Sequence, residues 1–154
     1  MLVKDLMSTS VKTCNEESNL ATAAKVMWDG DCGIVPIVND ERRIVGVVTD
    51  RDICIAAATR SMRPADIRVR DVMSRRVATC AQDNDVRTAL MQLKEHRVRR
   101  LPVVDADDRL VGLLSIKDLV GRAECRRSAD VPGDELIDTL KALGGQPATT
   151  VAAA

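Results

Sequence analysis

The chain has 154 residues, enough for one well-buried core, with 45% hydrophobic and 30% charged side chains. Lys+Arg and Asp+Glu both number 23, and the resulting zero net charge disfavours a dedicated nucleic-acid binder, which would carry a basic excess. No run approaches the roughly 18 apolar residues that cross a bilayer. The opening Met1-Leu2-Val3-Lys4-Asp5 lacks the charged and apolar regions of a secretory signal, so the reading is a cytoplasmic protein with no membrane partner.

In chain order, Val11–Cys14 predicts a short strand. A helix follows, opened by Ser18 or Asn19, whose oxygens suit orphan amides, with Leu20, Ala23, Ala24 and Met27 on one stripe. Gly30 predicts a left-handed end to that helix. Two apolar runs, Ile34–Val38 and Ile44–Thr49, flank the polar turn Asn39–Arg43 and predict an antiparallel hairpin, buried on both faces. A second helix starts at Asp50 and runs through Ala58. Thr59–Arg68, with Pro64, reads as a linker.

The same order then returns at an offset of 66 without a gap. Val3-Lys4-Asp5-Leu6-Met7-Ser8 matches Val69-Arg70-Asp71-Val72-Met73-Ser74, and Val11–Cys14 matches Val77–Cys80. Leu20, Ala23 and Met27 match Val86, Ala89 and Leu93, behind a cap at Asn84 or Asp85. Val35-Pro36-Ile37-Val38 matches Leu101-Pro102-Val103-Val104, and Ile44–Thr49 matches Leu110–Ser115. A final helix lies within Lys117–Arg122. One β-α-β-β-α unit has been used twice. The fold class is therefore α/β (α+β), with 1–58 and 69–123 as repeats, 59–68 as linker and 124–154 as a C-terminal extension. A unit of about 50 residues cannot bury its own face, so the copies are expected to pack sheet against sheet about a pseudo-two-fold axis, leaving two related clefts. In the extension, Asp134–Leu143 predicts a helix with Leu136, Ile137, Leu140 and Leu143 on one face and Gly144-Gly145 beyond it, and 146–154 reads as a mobile tail.

Five cysteines (Cys14, Cys32, Cys54, Cys80, Cys125) are scattered without a C-x-x-C, and the single His96, expected at a helix C-terminus, has no cysteine at ligand spacing. They read as reduced thiols, not as a zinc site. There is no Ser/His/Asp set, no Cys/His pair and no Walker loop, so no catalytic residue is named and an enzyme is disfavoured.

The strongest local signal is G-h-h-[ST]-x-x-D, present as Gly46-Val47-Val48-Thr49-Asp50-Arg51-Asp52 and Gly112-Leu113-Leu114-Ser115-Ile116-Lys117-Asp118. As pure structure it is a capping box, hydroxyl and carboxylate closing the helix start. As chemistry, the helix start presents free amides and a positive dipole end to phosphate, the Thr49 or Ser115 hydroxyl adds a donor, and Asp52 or Asp118 accepts from ribose. The dipole contributes only about 0.3–1 kcal/mol, up to about 2 when partly buried. Micromolar binding needs about 8 kcal/mol, so purine burial and cations are also required. Ile34 and Pro36, and Arg100 and Pro102, enter the strand beside the motif and are candidate purine walls. Arg99 and Arg100 lie in a basic run with Lys94, Arg97 and Lys117. Repeat one has Gly33-Ile34 at their places, which predicts a less cationic cleft with Arg51 as the nearest substitute.

With its D-L-M and D-V-M openings, h-P-h-V strands and two G-h-h-[ST]-x-x-D endings, the tandem unit resembles the CBS-domain pair, or Bateman module. The likeness extends from Val3 to about Arg122, and the segment Val47–Ile53 is similar to that of small stand-alone members. The resemblance implies an adenine nucleotide (AMP, ADP or ATP, or in some members S-adenosylmethionine or NAD) as a regulatory ligand in the clefts. By motif position Asp52 and Asp118 would hold ribose, and Thr49 and Ser115 phosphate. Arg99 and Arg100 would be basic phosphate contacts, and backbone near Val11 and Val77 would touch adenine. It further implies a homodimeric disc and a regulated protein acting in trans; the alternative is a ligand-independent dimerisation scaffold.

Overall fold

The computed structural model describes residues 1–123 and 130–144; the 146–154 tail, Gly145 and Cys125 lie outside the described residues. Helices α1 (Leu20–Asp29), α2 (Asp50–Thr59), α3 (Val86–His96), α4 (Ile116–Val120) and α5 (Gly133–Gly144) alternate with strands β1 (Ile34–Val38), β2 (Ile44–Thr49), β3 (Cys80–Ala81), β4 (Arg100–Val104) and β5 (Leu110–Ser115). Asn19 caps α1 by accepting from the Thr22 amide at 2.8 Å, and Asp85 caps α3 by accepting from the Arg87 amide at 2.9 Å. Gly30 does end α1, but at φ −99°; the left-handed residue is its successor Asp31 (φ 46°), matched in repeat two by Arg97 (φ 52°).

Both hairpins are antiparallel, with Val35 facing Val48 and Leu101 facing Leu114. The leading strands are shorter than expected. Val11–Cys14 contributes only a parallel bridge from Cys14 to Ile37, and Val77–Cys80 only the pair Cys80–Ala81 beside Val103 and Val104. Proline explains this in both copies. Cys14 donates to the Pro36 carbonyl and accepts from Val38, but the next ladder bond would need an N–H on Pro36. Pro102 occupies the same place in β4. A pyrrolidine nitrogen cannot donate, so pairing stops and the chain before each cysteine leaves the sheet.

The repeats exchange their ends. Val3, fully buried, belongs to the core of repeat two with Val86, Leu90, Leu101 and Leu114, and Leu6 and Met7 pack against that cluster. Ile67, Val69 and Met73 belong to the core of repeat one with Leu20, Val35 and Val48. Backbone bonds follow suit: Val3 N donates to Asn84 O, Ser8 and Leu113 exchange a pair, and so do Ser74 and Val47. Gly46 and Gly112 of the two motifs serve this exchange. A Cβ on Gly46 would lie 2.7 Å from Met73 Sδ, and one on Gly112 would collide with Met7 Sδ. Arg43 bridges Arg109, its own counterpart at the offset of 66, so this contact marks the pseudo-two-fold axis. Helix α5 packs on α3, burying Leu136 and Thr139, while Ile137 and Leu140 stay 53% and 42% exposed. No helix among the described residues is long and apolar enough to cross a membrane.

Cys80, 2% exposed, carries a pH consequence: burial pushes its thiol up from 9.0 to about 11. Between those values the unfolded chain ionises this thiol and the folded chain does not. Stability is expected to fall by up to about 3 kcal/mol as pH rises from about 9 to 11, and to be unaffected by this group below about 8. Urea midpoints at pH 8 and 10.5 check this; Cys80→Ala is expected to flatten the difference, and an unchanged slope would refute the assignment.

Candidate functional site

Each motif closes into the same small circuit. Asp52 Oδ2 accepts from the Thr49 amide at 2.9 Å and the Thr49 hydroxyl at 2.7 Å, and Thr49 Oγ1 accepts from the Asp52 amide at 3.2 Å. In repeat two the three distances are 2.8, 2.7 and 3.3 Å for Ser115 and Asp118. The capping box is therefore formed twice. It uses one carboxylate oxygen of each aspartate, and among the described residues Oδ1 of Asp52 and of Asp118 accepts no hydrogen bond. That oxygen is the acceptor left for an outside hydroxyl.

The expectation of free amides fails at α2. Asp50 N donates to Gly33 O, Arg51 N to Asp50 Oδ1 and Asp52 N to Thr49 Oγ1, so the first turn is satisfied internally. The Thr49 and Ser115 hydroxyl protons are likewise committed to the aspartates, and donating to phosphate would require rotating them away.

Two clefts flank these circuits. The first, about 1160 Å³, is bounded by Thr49, Arg51, Asp52, Ile34, Val77, Arg99, Arg100 and Pro102 of the residues singled out in the sequence. The second, about 880 Å³, is bounded by Val11, Ile34, Arg99, Arg100, Ser115, Lys117 and Asp118. The second falls within the roughly 300–1,000 Å³ of small-molecule sites, and the first is somewhat larger. Pro36 lines neither: it is buried in the ladder opposite Val47. His96 ends α3 and also lines neither. Arg97 of the basic run joins the first cleft, and sequence reasoning missed Arg76 there and Lys12 and Arg122 in the second.

Every cleft is built from both repeats, because the segments released by Pro36 and Pro102 cross over. Val77 therefore faces the cleft of Thr49, and Val11 that of Ser115. The bases of the first cleft come by the same crossing. Arg99 and Arg100 border both clefts; the first adds Arg51, Arg76 and Arg97 and the second Lys12, Lys117 and Arg122, so the first is the less cationic only through its additional aspartate, Asp50. Among the described residues no His, Cys, Asp and Glu side chains group closely enough to hold a metal.

Comparison with known proteins agrees with this architecture. The CBS domain pattern matches residues 3–59 and again 69–124. A homoserine O-acetyltransferase of Methanococcoides burtonii is 34% identical over 117 residues, 76% of this chain but 23% of that protein. The chain thus spans about a quarter of the length of that curated relative. Hypoxic response protein 1 of Mycobacterium tuberculosis is 30% identical over 116 residues, 75% of this chain and 80% of that protein. The crystal structure of hypoxic response protein I, with two coordinated zinc ions, superposes at TM-score 0.72 with 29% identity, over 79% of this chain and 98% of that one. The CBS domain pair of protein MJ0100, in complex with 5′-methylthioadenosine and S-adenosyl-L-methionine, superposes at TM-score 0.70 with 27% identity, over 79% and 94%. Two matched repeats, two formed motifs and two clefts between crossed halves have one reading: the chain belongs to the CBS domain family.

Proposed function

We propose that this chain is a regulatory, non-catalytic module that binds adenine nucleotides in its two inter-repeat clefts and conveys metabolic state to a partner protein in trans. The observation that supports this most is the pair of aspartates, Asp52 and Asp118, each holding one oxygen in its cap and one unengaged oxygen beside a basic cleft. A carboxylate oxygen so placed suits vicinal ribose hydroxyls, as acidic side chains do in dinucleotide folds. Arginines and Lys117 supply phosphate contacts, and Ile34, Val77 and Pro102 supply apolar walls. The adenosyl ligands of the MJ0100 pair support the same ligand class here.

Val11 and Val77 differ in what they offer to adenine. Val11 N donates to Thr9 O, whereas no hydrogen bond of the Val77 amide is formed among the described residues. A cytoplasmic setting fits the free thiols of Cys14, Cys32, Cys54 and Cys80. The exposed Ile137 and Leu140 of α5 support a homodimer.

A ligand-independent dimerisation scaffold is favoured by one specific observation, the internally satisfied first turn of α2. Calorimetry of the full chain with AMP, ADP, ATP, S-adenosylmethionine and NAD separates the two, with light-scattering mass measured alongside. The nucleotide module is expected to bind at least one of the five at micromolar affinity, with a dimeric mass. Silence from all five at millimolar concentration leaves the scaffold reading, and a monomeric mass at high concentration removes the dimer.

A further inference from the structure

The two clefts are related by one offset and have the same number of basic side chains, yet beside the capping box the first carries one more carboxylate. In the first, the Asp50 amide donates to Gly33 O at 3.3 Å. The Asp50 carboxylate stands over that glycine, with Oδ2 2.8 Å from where a Cβ on Gly33 would lie. In the second, the equivalent bond runs from Ile116 N to Arg99 O at 3.0 Å. The same backbone contact therefore joins an acid to a glycine on one side and an apolar residue to an arginine on the other. Asp50 Oδ1 also accepts from the Arg51 amide at 2.8 Å, which holds the carboxylate at the helix start and occupies a donor that an anion would need. The second cleft has Asp31 and Asp118 as its acids; the first has Asp31, Asp52 and, in addition, Asp50.

A carboxylate a few ångströms from a phosphate dianion repels it, and the penalty grows as water is excluded. Resting on the reading above, we propose that the Ser115–Asp118 cleft takes the phosphate-bearing adenine nucleotide. The Thr49–Asp52 cleft, with Asp50 at its helix start, takes an adenosine-type ligand without phosphate. Asp50 is then a specificity-determining residue that makes two copies of one site unequal.

Trp28 reports which cleft is filled. It lines the first cleft and not the second, is 87% exposed, and is the single Trp of a chain without Tyr or Phe. The full chain is titrated with AMP and with adenosine by calorimetry while Trp28 emission is recorded. AMP is expected to bind once per chain and leave the emission unchanged; adenosine is expected to change it. Asp50→Asn keeps an acceptor for the Arg51 amide but removes the charge. In that variant AMP is expected to enter the first cleft at least tenfold more tightly, adding a second equivalent and an emission change. Ile116→Asp, the reciprocal substitution, is expected to weaken AMP at least tenfold while the adenosine signal persists. Two AMP per unmodified chain, or an Asp50→Asn variant indistinguishable from it, overturns the assignment while nucleotide binding itself stands. Absence of any response to either compound overturns both.

Discussion

Deleting residues 1–8 is expected to unfold repeat two, although in sequence those residues open repeat one. Val3 is fully buried among Val86, Leu101 and Leu114, and burial of one valine contributes about 1.5–3 kcal/mol. The segment also supplies backbone bonds from Val3 to Asn84, Lys4 to Gln82 and both ways between Ser8 and Leu113, each about 0.5–1.5 kcal/mol net. The expected loss, about 4–9 kcal/mol, is comparable with the roughly 5–15 kcal/mol that holds a domain of this size. A gentler pair locates the effect: Val3→Ala is expected to loosen amides of 80–120, and Val69→Ala those of 11–59. Hydrogen exchange reads both. Loosening of 11–59 by Val3→Ala would show that the ends are not exchanged.

Asp118→Ala is expected to lower affinity for the nucleotide in the second cleft by roughly 100-fold and stability by about 1 kcal/mol. The two losses have different sources. Stability falls because Ser115 N and Ser115 Oγ lose their common acceptor, a capping loss of typically about 1 kcal/mol. Affinity falls because the remaining oxygen, charged and unengaged in the protein, is the ribose acceptor, and hydrogen bonds to charged groups contribute about 1.5–3 kcal/mol. Asp118→Asn separates them: its amide oxygen still caps the helix, so the melting temperature is expected to stay near that of the parent while binding weakens. Should Asp118→Asn bind as the parent does, the carboxylate serves the cap alone.

Much of this was legible in the residues. The offset of 66 placed both hairpins at the bounds the structure shows, and the Thr49/Asp52 and Ser115/Asp118 boxes were visible from spacing because a cap is a local, four-residue event. What escaped was non-local. That Met7 sits against Gly112 and Met73 against Gly46 depends on which half of the chain crosses to which, and neither pattern nor propensity encodes the direction of that crossing. Which bases border the first cleft escaped for the same reason, since Arg76, Arg97, Arg99 and Arg100 all come from repeat two. The shortened leading strands were legible in principle: Pro36 and Pro102 each remove the donor that the next rung requires. The saturated amides at α2 follow from Asp50, a residue whose second oxygen could serve its neighbour or a ligand, and only coordinates show which.

The crossed ends make autonomy a property of the whole tandem. Cutting anywhere in 59–68 would leave a leading fragment that has given away Val3 and lacks Val69, and a trailing fragment in the opposite debt. Neither piece holds a complete interior, and only reunion restores both.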